Sequence, residues 1–359
     1  MEKQSKSRLK SFASGFVKPS LLIIILALIL ASLIIFSLEN FISSGKILNI
    51  PRNYVLSNSE DYSADLSYTV IEEKFNETDN YRIYMIGGSA TRKSIVSDEY
   101  FNDKLYETYG EGYEFIMLST SMLSILDTLL IADNLPADNG AVVACLNIRK
   151  PLIYGTINRY LVKSDKYVDY INENKIIDNF DMFDKRAYKM TSGRLVKKVM
   201  DRLFLSPSIS DIFSTHRVIE YKEDYGKRLN KADFEVKVNL DIRNLETGIS
   251  SEREELFRSI LVDITLICEE KGLDFVLLDG PYNIEVFSED LLNDESGTLV
   301  NYKRILNDVS DEMDIAYLDY IWELGIKDEQ YMDVVHLTNY EARKAYTDGL
   351  VENLADVIK

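Results

Sequence analysis

Eighteen consecutive residues without a charge, Leu21 to Leu38 (LLIIILALILASLIIFSL), constrain this chain more than any other feature. A run of that length can cross the hydrocarbon core of a bilayer as one helix. The segment before it is basic: Lys3, Lys6, Arg8, Lys10 and Lys18 stand against Glu2 alone, a net of +4. Glu39 and Asn40 close the run on its other side. The Lys/Arg bias orients such a helix with residues 1–20 as a cytoplasmic basic tail and everything after Glu39 outside. A cleaved signal peptide is the competing reading. It is opposed by a stretch longer than the usual apolar region of a signal and by the lack of a small-x-small cleavage site after it. The expected localisation is a single-pass cell-membrane protein anchored through Leu21–Leu38, its large domain extracytoplasmic.

Charge narrows the partners. The net charge is −18 over 359 residues, so with +4 in the first twenty residues the rest carries −22. Nucleic-acid binding needs Lys/Arg-rich surfaces and is excluded as a general role for this chain. The two cysteines, Cys145 and Cys268, lie in an apolar strand-like run (AVVACLNI) and a helical one (LVDITLICEE). They read as buried thiols, and spacing alone establishes no disulfide. No CxxC or His/Cys cluster points to a metal.

Residues 39–80 read as a connector with polar stretches. From residue 81 onward, short apolar runs alternate with helical patterns, the signature of βα units building a parallel sheet. The expected strands are Arg82–Ile86, Glu114–Leu118, Ala141–Ile148, Asp274–Leu278 and Ile315–Leu318. Their continuous apolar character suits strands covered on both faces. Helices are expected over Ser121–Asn134, Glu252–Lys271 and Asn339–Ile358. In the second, Leu256, Ile260, Ile264 and Cys268 recur every four residues. The stretch at about 151–250 is far longer than an ordinary βα connection and reads as an insertion. Within it, Lys185–Phe204 mixes basic residues with Tyr188, Leu195, Val196, Val199 and Leu203. That pattern is an amphipathic helix, either packed on the domain or serving as a lid or docking face.

Three features carry possible chemistry. Gly87-Gly88-Ser89 directly follows the first strand, and a serine there lies at the carboxyl edge of a parallel sheet, where active sites of such folds collect. Of the two histidines, His336 falls in Tyr331-Met332-Asp333-Val334-Val335-His336-Leu337, just before the last helix. An Asp-x-x-His turn can set a carboxylate on an imidazole, fixing its tautomer. His216, in Ser214-Thr215-His216-Arg217, has no such context and reads as structural. Asn147 ends the third strand, where a side-chain amide can donate to a developing oxyanion. Each feature alone has a plain structural reading: a turn, a capping histidine, a strand-end asparagine.

Taken in order, these residues resemble the SGNH/GDSL hydrolases. In that family a serine follows the first strand, a polar donor the second and an asparagine the third. Asp-x-x-His precedes the final helix. The resemblance covers about residues 79–359, apart from the insertion. It implies a flavodoxin-like three-layer α/β/α sandwich around a central parallel sheet. It also implies Ser89 as nucleophile, His336 as base and Asp333 as its orienter. Asn147, Ser121 and the Ser89 backbone amide would form the oxyanion hole, and no cofactor is needed. Gly88 stands where the family has an acidic residue. The glycine expected after the second strand is missing from Leu118-Ser119-Thr120-Ser121, and Gly-x-Asn-Asp is reduced to Leu146-Asn147-Ile148-Arg149. These departures are similar to those of a membrane-anchored branch: O-acetyltransferase-type proteins acting on surface polysaccharides, and the D-alanine transfer protein of teichoic acids. Asp279-Gly280-Pro281-Tyr282-Asn283 resembles the Pro-Tyr segment found after the fourth strand there. The resemblance implies acyl transfer, of acetyl above all, or ester hydrolysis on a cell-surface glycan, with a membrane-embedded acyltransferase as partner. An inactive SGNH-like scaffold or binding subunit of an envelope complex is the alternative.

Overall fold

The computed structural model describes residues 21–56, 62–120, 123–137, 139–147, 164–172, 195–196, 199–200, 228–246, 249–355 and 357–358. Helix α1 runs from Leu21 to Ser43 and is long and apolar enough to cross a membrane, with a mean hydropathy of 3.2 over its apolar window. Its side chains from Leu21 to Phe36 are almost all exposed, a surface water would not tolerate on a soluble domain. The helix outlasts the apolar run by five residues because its last turn docks. Ile42 is fully buried, and Leu38 and Phe41 pack against the core. Residues 39–80, expected as a connector, are largely built into the domain. They hold α2 (Arg52–Leu56) and α3 (Tyr62–Phe75), and Leu66, Tyr68, Val70 and Ile71 of α3 are buried. Polar residues hid this: Arg52 reaches Asp65 at 2.5 Å and Glu72 at 2.6 Å, so the charges face one another beside the core.

The domain then alternates as expected. Strand β1 (Tyr81–Gly87) leads to α4 (Ser89–Ser94) and α5 (Asp98–Tyr109), and β2 (Tyr113–Ser119) leads to α6 (Ile125–Asn134). After β3 (Gly140–Leu146), the long excursion to the next strand includes α7 (Asp165–Asn172), α8 (Lys231–Glu246) and α9 (Ser251–Lys271). Strand β4 (Leu273–Asp279) is followed by α10 (Glu289–Leu292) and α11 (Thr298–Met313). Strand β5 (Ala316–Leu318) precedes α12 (Tyr340–Leu354). The expected amphipathic helix at Lys185–Phe204 lies mostly outside the described residues, although Leu195, Val196 and Val199 are buried.

All five strands are parallel, in the order β2-β1-β3-β4-β5. Every residue of β1 and β3 is buried, which explains their unbroken apolar runs. Only three residues of the edge strand β5 pair, and all three are half-buried. Around the sheet, α6 packs on α9 and α9 on α11, while α12 packs on α5 and α4. The strand order reverses direction between β1 and β3. In open parallel sheets the crevice outside the strand ends at such a reversal is where ligands bind. The register sets the strand ends level there: Gly87 lies opposite Ser119 on one side and Cys145 on the other, and Leu146 pairs with Asp279.

Candidate functional site

Ser89 opens α4 immediately beyond β1, and Gly87 makes that geometry possible. A Cβ at Gly87 would lie 2.1 Å from Thr91 Oγ1, so only glycine lets the first turn of α4 fold back against the strand end. Gly88 is different. A Cβ there would meet nothing within 4 Å, so packing does not demand glycine at this position. The turn leaves Ser89 half-buried, facing the reversal point.

The Asp-x-x-His segment comes from the loop between β5 and α12. The loop closes on itself: Met332 N donates to His336 O at 2.7 Å, and Tyr331 bridges Leu337. Inside it, Asp333 is fully buried, and its Oδ1 accepts from the Val335 and His336 amides, each at 3.0 Å. Those two bonds are an Asx turn, the local preference of aspartate. The same oxygen lies 2.8 Å from His336 Nδ1 and Oδ2 lies 3.0 Å from it. An ionised carboxylate can only accept, so Nδ1 carries the hydrogen and Nε2 of the neutral ring is left as acceptor. Nε2 lies 2.9 Å from Ser89 Oγ. Residues 247 positions apart in sequence thus form one hydrogen-bonded line from Ser89 through His336 to Asp333.

Asn147 stands just past the end of β3 and, with Ser89 and His336, lines one pocket of about 240 Å³. Leu123, Ile125, Phe257 and Val335 supply apolar walls, and Tyr302 closes one side. Ser121 lies outside the described residues. Ser124 lines the pocket wall, but its hydroxyl gives a 2.8 Å bond to Asp127 and caps α6. His216 also lies outside the described residues. Cys145 lines the pocket too, but burial pushes its thiol up to about 11 and keeps it protonated; Cys268 is likewise buried and unpaired. Among the described residues no group of three His, Cys, Asp or Glu could hold a metal.

The segment after β4 braces the Asp-His loop. Gly280 N donates to Leu146 O at 2.6 Å, and a Cβ on Gly280 would come within 2.7 Å of that oxygen, so the turn crosses β3 closely. Asn283 N then donates to Val334 O at 2.7 Å, and its Nδ2 to Asp328 Oδ1 at 2.6 Å. Tyr331 hydroxyl donates to Tyr282 O at 3.2 Å. The Asp279–Asn283 segment is thus a clamp on the loop that carries Asp333 and His336.

Two lysines from different elements bear on the carboxylate. Lys237 of α8 places Nζ 2.9 Å from Asp333 Oδ2. Lys93 of α4 has Nζ 3.6 Å from Met332 Sδ and senses Asp333, Arg92, Arg343 of α12 and Lys237. Burial, more than those neighbours, lowers its proton affinity. The sequence offered no hint of Lys237: it lies 96 residues from Asp333 in a stretch without a motif. No protein-family model matches this chain, and no curated protein matches it in sequence.

Proposed function

We propose that this protein is a serine acyl-transfer enzyme of the SGNH/GDSL type, held by α1 on the outer face of a cell membrane. The observation that carries the reading is the unbroken line Ser89 Oγ–His336 Nε2/Nδ1–Asp333 at hydrogen-bond distances beside a pocket. As Oγ attacks an acyl carbonyl, its proton passes to Nε2, and Asp333 stabilises the imidazolium. The Ser89 amide, at the start of α4 without an intrahelical partner, and the Asn147 side chain would hold the oxyanion. His336 then returns the proton to the leaving oxygen, leaving an ester on Ser89. An acceptor hydroxyl or water, deprotonated by Nε2, takes the acyl group and frees the serine.

The three-layer sandwich belongs to the same reading. One group of helices (α6, α9, α11) and another (α4, α5, α12) fit its two outer layers. The acyl group is acetyl, the acceptor a surface glycan and the donor-side partner a membrane-embedded acyltransferase; these follow from the resemblance stated above. Docking of Leu38, Phe41 and Ile42 on the core favours α1 as a retained anchor over a cleaved signal. Protease added to intact cells should therefore digest residues 39–359. Survival until permeabilisation would reverse the orientation.

The functional test is turnover of an aryl acetate by the full-length protein in detergent, together with labelling by a fluorophosphonate probe. Both should be positive for the wild type. A folded wild type that shows neither is instead the inactive scaffold.

A further inference from the structure

The insertion between β3 and β4 has no place in the mechanism above, yet part of it is fastened to the loop that carries Asp333 and His336. Three contacts fasten it. Arg228 forms an ion pair with Asp328, five residues before Asp333 in that loop, and also reaches the Asp328 carbonyl at 2.5 Å. Leu229 N donates to Met332 O at 3.2 Å, one residue before Asp333. Two turns into α8, Lys237 Nζ closes on Asp333 Oδ2 at 2.9 Å. Arg228 also lies over the Phe234 ring, 4.5 Å from its centroid, which ties residues 228–230 to the helix.

A buried carboxylate that already accepts two backbone amides and an imidazole N–H does not need a lysine for hydrogen-bond satisfaction. What the ammonium adds is charge. Asp333 stabilises a positive His336, and a cation 2.9 Å from the far carboxylate oxygen weakens that field at the ring. Lys93 of α4 also senses the same carboxylate, and Arg92 of α4 and Arg343 of α12 in turn bear on Lys93. Lys237 bonds Asp333 directly, at 2.9 Å.

We propose that Lys237 is a positioning residue of this site: through Asp333 it lowers the proton affinity of His336, so that the base stays neutral into more acidic solution. Helix α8 is then part of the active centre and supplies its electrostatic setting. This rests on the Ser89–His336–Asp333 reading for its consequence in catalysis but can be measured without it. The sign follows from the charge. Removing Lys237 leaves Asp333 with its full negative field and removes a nearby positive charge, and both favour imidazolium. The folded-state pKa of His336 must therefore rise.

The chain has only two histidines, so the full-length protein in detergent, labelled with ¹³C-histidine, gives two ring signals, and His336→Gln identifies one of them. In Lys237→Met, which keeps the apolar stem, the His336 pKa should rise by about one unit. The acidic limb of kcat/KM for an aryl acetate should move up by the same amount. Lys237→Arg should leave both where they are. An unchanged His336 pKa in Lys237→Met would overturn the proposal, as would an equal shift in Lys237→Arg, because that variant keeps the charge. A shifted pKa in a protein that turns over no ester would sink the acyl-transfer reading and leave this inference standing.

Discussion

Replacing Ser89 by alanine should abolish acyl transfer and probe labelling while leaving the protein folded. The chemical loss is large, because Ser89 carries the hydroxyl bonded to His336 Nε2, whereas Ser124 in the pocket wall gives its hydroxyl to Asp127. Cys145, the other nucleophile type in the wall, is a buried thiol held protonated. What survives is oxyanion stabilisation and binding, so turnover should fall by roughly 10⁴-fold or more. That corresponds to about 5.5 kcal/mol of transition-state stabilisation. The structural loss is small. Ser89 is half-buried at the first position of α4, where alanine is a better helix former, and its hydroxyl bonds to His336 and not into the core. The thermal midpoint should stay within a few degrees of wild type, as expected for a change of about 0.5 kcal/mol. Turnover of an aryl acetate, a probe-labelling gel and a melting curve decide it together. Wild-type turnover in the variant would end the serine assignment.

Replacing His336 by alanine should cost nearly as much, again on the order of 10⁴-fold, since an unassisted serine hydroxyl is a poor nucleophile near neutral pH. The loop does not depend on the imidazole for its fold. Asp333 keeps the Val335 amide, the amide of residue 336 and the Lys237 ammonium. The loop keeps its clamp to Asn283 and the bridge from Tyr331 to Leu337. The variant should therefore fold, bind the same probes weakly and lose the acidic limb of the wild-type pH profile, because the group whose protonation produces that limb is gone. A pH–rate profile of the residual activity is the measurement. An acidic limb of wild-type shape and position in the variant would assign it to another group. Removing Asp333 is a poorer experiment, because that one carboxylate also holds two backbone amides and Lys237.

The fold was largely legible because hydrophobic periodicity is a local property. Strands buried on both faces must be apolar along their whole length, so β1, β3 and β4 announce themselves within a residue or two of their ends. The stretch before β1 failed to do so for the same reason. The charges of α3 and Arg52 neutralise one another in space, and one-dimensional composition shows only polarity. The helices α5 and α11 were also not singled out, since their buried faces are narrow and their exposed faces highly charged.

At the site the division is similar. Local sequence was enough to place the residue types at the ends of β1 and β3 and to put Asp333 and His336 in one short turn. A strand end, a glycine turn and an Asx turn are all settled by neighbours in the chain. Only the tertiary structure decided that residue 89 meets residue 336, because that contact depends on β1 lying at the reversal of the strand order and on the loop after β5 folding back over it. It alone also put Lys237 on Asp333 and the Asp279–Asn283 clamp beneath the loop. An ion pair across 96 residues leaves no periodicity to read. Its existence rests on where an inserted helix packs, and packing is decided by surfaces that the chain assembles only once it has folded.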